Sequence, residues 1–173
     1  EEDPMKTTNV TVTTSKTALL PRYFTLLLAA VALAFGPQSV RGGDSVPFKG
    51  SAEGAIVSAT PDPGGVLAPT LAEGYATHLG RFTREEVVLL NPVTGTINGT
   101  LVFTAANGDQ LFGTVAAQFT SPTDVVGTIT FTGGTGRFEH ATGQTDAILY
   151  TPDGTHFSVE FDGSISSAGT NRN

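Results

Sequence analysis

The sequence predicts an all-β protein: a single antiparallel up-and-down β-barrel of about eight strands, following an N-terminal signal peptide. Three observations predict it. From Val46 onward apolar residues recur with period two, the rhythm of strands with one greasy and one wet face. Turn residues interrupt that rhythm every ~10 residues, the spacing of small barrels and sandwiches. Gly50, Gly54, Gly99, Gly113, Gly127 and Gly163 fall in phase with the apolar side chains instead of being confined to turns. Interior glycines mark sheet that bends sharply or is closely approached by other backbone. Strong curvature favours a closed barrel over a flat sandwich, and the inward positions of a small barrel must mix small and large side chains.

Taken in order, the first element is a targeting segment. Lys16 and Arg22 precede the apolar run Tyr23 to Phe35, YFTLLLAAVALAF, which has the basic and apolar regions of a secretory signal. The run is shorter than the ~20 apolar residues a transmembrane helix needs. Ala32 and Ala34 form an A-x-A arrangement, so cleavage is expected after Ala34 or later, near Gly43, and Met5 is a candidate initiator. Residues 1–43 are therefore assigned to the signal and its extension, 44–168 to the barrel and 169–173 to a disordered tail.

Within the barrel the segments 47–59, 72–80, 82–90, 96–105, 109–119, 125–132, 138–150 and 155–166 read as strands. Ser58 to Pro69, SATPDPGGVLAP, reads as a long loop near one mouth because prolines and glycines break the pattern. Leu101 and Phe103 share a face with Ile97, and Leu111, Val115, Ala117 and Phe119 alternate with Thr114, Ala116 and Gln118. Val125, Ile129 and Phe131, then Phe157, Val159, Phe161 and Ile165, repeat the pattern. Asn107-Gly108 and Asp153-Gly154 suit type I′ hairpin turns, which make consecutive strands antiparallel neighbours.

Composition narrows the function classes. From Asp44 onward thirteen carboxylates face five cations, a net charge of −8. Such a surface repels phosphate backbones and anionic headgroups, so neither nucleic acid nor, after signal cleavage, a membrane is an expected partner. The chain has no cysteine, which excludes disulfides and thiolate metal sites. His78, His140 and His156 show no i, i+2 spacing that would set two imidazoles on one strand face, so no metal is assigned. Gly133-Gly134-Thr135-Gly136 lacks the Lys-Ser/Thr of a phosphate loop and precedes a strand. No G-x-S-x-G elbow is present. No cofactor is implied. Asn98-Gly99-Thr100 is an acceptor sequon for a host that glycosylates.

The stretch Phe131 to Gly143, FTGGTGRFEHATG, resembles the G-G-T/S-G-x-F-x-x-A-x-G element at the corresponding hairpin of the allene oxide cyclase and dirigent superfamily of eight-stranded barrels. Ala76 to Thr83, ATHLGRFT, is similar to bacterial secreted proteins associated with the same barrel class. The resemblance implies the barrel fold, an isomerase- or cyclase-type activity on a hydrophobic substrate, and dimers or trimers. The acidic N-terminal strand motif of the cyclases is not found around Phe48 to Val57, and the dirigent pocket of paired aspartates with arginines and tyrosines is not matched. No catalytic residue is carried over.

The candidate binding residues are accordingly Phe103, Phe119, Phe131 and Phe161, with His78 and Arg81 as a polar anchor. The phenylalanines, Phe157 included, share the apolar phase and line either a ligand cavity or a filled core. His78 and Arg81 with Glu85 and Glu86 form a polar cluster near a strand junction, suited to general acid–base work or to anchoring a ligand. The ordinary alternative is that Arg81 or Arg84 pairs with a carboxylate across neighbouring strands. The expected protein is thus secreted or periplasmic, a module binding a small hydrophobic ligand or a macromolecular partner, with homo-oligomerisation open. The alternatives are an isomerase/cyclase-type enzyme and a pocketless structural envelope protein.

Overall fold

The structure, a computed structural model, describes residues 45–166; the segments assigned to the signal (1–43) and to the tail (169–173) lie outside them. Nine strands follow in order: β1 (Ser45–Ile56), β2 (Thr60–Asp62), β3 (Gly65–Ala76), β4 (Gly80–Asn91), β5 (Thr96–Ala105), β6 (Gln110–Phe119), β7 (Asp124–Gly134), β8 (Gly143–Tyr150) and β9 (His156–Ser166). Sequence neighbours pair antiparallel from β2 through β9, β1 pairs β9, and a further β1–β3 pairing closes the ring. The result is an eight-stranded antiparallel barrel with β2 as a short extra strand on the rim. Closure removes the unpaired edges that an open sheet exposes.

The period-two reading holds along the strands. On β9, Phe157, Val159, Phe161 and Ile165 point inward and are buried, while His156, Ser158, Glu160 and Asp162 are exposed. In-phase glycines let strands and rings approach: a Cβ built on Gly50 would stand 2.5 Å from the Tyr75 carbonyl oxygen and 2.7 Å from the Phe161 ring.

Three local expectations need correction. The stretch 58–69 is not one loop, because Asp62 accepts from the Gly64 N–H at 2.9 Å and Gly65 takes a positive φ, turning β2 back onto an earlier-starting β3. The strand expected over 138–150 begins only at Gly143, since a short 3-10 turn, Gly136–Phe138, and the backbone after it precede it. The hairpins at Asn107-Gly108 and Asp153-Gly154 are not type I′, for only the glycines have positive φ. At the first, Gly108 N–H donates to the Ala105 oxygen at 2.9 Å and Gly108 lies at φ 88°, a type I turn with a left-handed glycine bulge. At the second, Asp153 Oδ1 accepts from the backbone of Thr155 and His156.

The core gathers at one end. Phe48, Phe82, Phe103, Phe131 and Phe161 form a connected ring cluster, with Phe48 and Phe131 centroids 4.8 Å apart at 69° and Phe82 and Phe103 5.1 Å apart at 82°. Such edge-to-face pairs each add ~0.5–1.5 kcal/mol beyond area burial. Phe138, carried by the 3-10 turn, is fully buried and plugs this end. The turn is held in place where Thr135 and Gln110 exchange hydrogen bonds, at 2.8 and 2.9 Å.

Candidate functional site

The other end of the barrel is not filled. There the inward positions of all eight barrel strands line a cavity of about 290 Å³, at the lower edge of the ~300–1,000 Å³ usual for small-molecule sites. Its apolar wall includes Ile56, Val88, Ile97, Val115, Phe119 and Leu149. Pro122 and Gly154, both exposed, stand at its rim, so it opens at the mouth formed by the β6–β7 and β8–β9 loops.

Polar groups reach this cavity from adjacent strands. Along β4 the inward phase reads Phe82, Arg84, Glu86, Val88, so an arginine and a glutamate point into the lumen. Thr70 on β3 is the direct cross-strand partner of Glu86. Arg84 Nη2 donates to Glu86 Oε2, and Thr70 Oγ1 donates to the same oxygen at 3.2 Å. The Arg84 and Glu86 side chains are only 4% and 5% exposed. Arg84 also sits 5.8 Å from the centre of the Phe157 ring, at cation–π range. Among the described residues, its Nε and Nη1 are buried without a hydrogen-bond partner.

That arrangement is costly for a purely structural role. An unmet buried donor costs ~1–3 kcal/mol, and replacing a buried ion pair by hydrophobic residues is often neutral or stabilising by ~1–4 kcal/mol. Chemically, Nε offers one N–H and Nη1 two, all buried in the wall of an otherwise greasy chamber that Arg84 lines: a donor set suited to an oxygen acceptor.

The residues singled out in the sequence separate in space. Phe119 lines the cavity. Phe103, Phe131 and Phe161 are 0–3% exposed and pack in the filled end. His78 lies outside the lumen in the β3–β4 turn, at φ 66°, its Nε2 3.1 Å from the Pro47 oxygen. Arg81 is on the outer face, 3.9 Å from Glu73. Glu85 points outward and Glu86 inward, so the four-residue polar cluster is not assembled. The groups that sequence reasoning underrated, Arg84 and Glu86 with Thr70, carried one signal: charges in the phase of Phe82 and Val88.

At the mouth, Asp153 accepts from the His156 ring at 2.8 Å and from the backbone N–H of His156 and Thr155. The ring hydrogen bond first, then the backbone ones, hold its carboxyl well below the usual carboxylate range. Among the described residues no group of three or more His, Cys, Asp and Glu side chains is placed to hold a metal ion.

No protein-family model and no curated protein matches this chain. Solved structures do resemble it, two pterocarpan synthase dirigent proteins among them. The pterocarpan synthase dirigent protein GePTS1 superposes with a TM-score of 0.57 at 15% identity, covering 78% of this chain and 96% of its own. The pterocarpan synthase dirigent protein PsPTS1 superposes with a TM-score of 0.55 at 13% identity, covering 75% of this chain and 99% of its own. Identity this low speaks for the fold alone: the chain has the dirigent-type barrel fold that the Phe131–Gly143 element suggested.

Proposed function

We propose that this protein is an exported barrel that binds one small, largely apolar molecule in its open half. The observation that carries this reading is the buried Arg84–Glu86 pair, with unspent guanidinium donors, set in the apolar wall of a 290 Å³ cavity. Export rests on the basic-then-apolar N-terminal segment. A pocketless structural role leaves both the cavity and the buried pair without a purpose.

Size fits a compact ligand, since an apolar cavity of ~150 Å³ already accepts benzene. A ligand that binds only the folded state raises the unfolding midpoint. Thermal unfolding of the full chain with saturating cumene should therefore shift upward, and Ala147→Phe, which fills the cavity, should abolish the shift. No shift, or one that survives Ala147→Phe, would reject the reading.

An isomerase- or cyclase-type activity is the second reading. It is favoured by a buried polar group facing an open cavity and by the pterocarpan synthase names of both similar structures. Confinement of a reactive substrate is itself catalytic, and turnover of a bound compound, lost in Glu86→Gln, distinguishes it from carriage.

A further inference from the structure

We infer that the ligand of the open half is an uncharged molecule with a carbonyl-type oxygen at its inner end, bound oxygen-first against Arg84; this rests on the pocket reading above. Charge comes first. Arg84 and Glu86 are in contact, 4% and 5% exposed, and together neutral. A ligand carboxylate at Arg84 would place a second negative charge beside Glu86 within a largely apolar wall, where like charges disfavour each other strongly. An ammonium would meet the Arg84 charge and offer donors to donors.

Hydrogen bonding then separates the uncharged ligands. Glu86 Oε2 already accepts from Arg84 and Thr70, whereas Arg84 Nε and Nη1 have no acceptor among the described residues. Three guanidinium N–H groups, one on Nε and two on Nη1, are therefore short of acceptors. A hydrocarbon leaves that shortage in place. A carbonyl oxygen brings two lone pairs and no charge, and it relieves the shortage without disturbing the ion pair. The remaining wall, Val88, Val115, Leu149 and the ring of Phe157, takes the hydrocarbon part, which extends from Arg84 toward Phe119 and Pro122 at the mouth.

Three single-ring compounds of near-equal size separate these cases: cumene, acetophenone and benzoate. In NMR titrations of the isotope-labelled full chain, acetophenone should bind about tenfold more tightly than cumene, the effect of one hydrogen bond from a charged donor. It should also bind more tightly than benzoate and should move the Arg84 Nε–H resonance, which cumene leaves in place. In Arg84→Met/Glu86→Met, a variant that removes both charges together, acetophenone and cumene should bind within about twofold of each other. Benzoate binding tightest, or cumene matching acetophenone in the unaltered protein, would overturn this inference and leave the pocket standing. If none of the three moved Ile97, Val115 or Leu149, the pocket reading itself would fall and this inference with it.

Discussion

At one end of the barrel Phe48, Phe82, Phe103, Phe131, Phe138 and Phe161 fill the lumen; at the other, the same inward rows carry mostly aliphatic residues, with Phe119, Phe157 and an arginine–glutamate pair, around 290 Å³ of space. Both ends obey one rhythm and one register. They differ in side-chain volume and in where charge is buried. The difference teaches that an inward-facing position in a small barrel has two uses. Close-packed rings hold the closed end together, and the open end keeps groups whose burial weakens the fold. A protein that tolerates this beside an aromatic core has divided stability from binding along the barrel axis.

The comparison breaks most readily at its largest effects. Phe103→Ala at the filled end should lower the unfolding free energy by about 3–5 kcal/mol, while Phe119→Ala at the open end should cost under about 1 kcal/mol, both read from urea denaturation. Equal losses would erase the distinction between the ends. Arg84→Met alone should cost about 3–5 kcal/mol, because it strands the Glu86 charge, and adding Glu86→Met should return stability to within about 1 kcal/mol of the parent. A double variant as unstable as the single one would show that the pair serves the fold.

Smaller effects sharpen the picture. Gly50→Val forces a side chain against the Tyr75 carbonyl and the Phe161 ring, and should cost about 1–3 kcal/mol by overpacking. At the mouth, Asp153 has a folded-state pKa below its ordinary value of 3.8. Its contribution is therefore complete above that value and fades as pH falls below it toward the depressed folded value. Stability measured from pH 5 down to pH 2 should fall more for the parent than for Asp153→Asn; parallel curves would remove Asp153 from the account.

The barrel was largely legible because period two is a property of the chain itself: Leu101 and Phe103 on β5 or Phe157 and Phe161 on β9 declare their face by parity. Parity does not give height along the axis, so Phe119 and Phe103 looked alike although one lines a cavity and the other fills a core. The FTGGTGRFEHATG element announced the fold and proved to be the plug of the closed end, folding Phe138 inward. The open end carries no such motif. Arg84 and Glu86 were visible as residues, yet proximity in sequence grouped Glu86 with Glu85, His78 and Arg81, which the sheet sends outside. Reading parity for charges as strictly as for phenylalanines separates them.

The central claim, one closed end and one open end, is tested most directly by xenon, which enters apolar cavities. Methyl NMR of the full chain under xenon pressure should show shifts at Ile97, Val115 and Leu149 and none at Leu111 or Ile165. Shifts at both ends, or at neither, would contradict it.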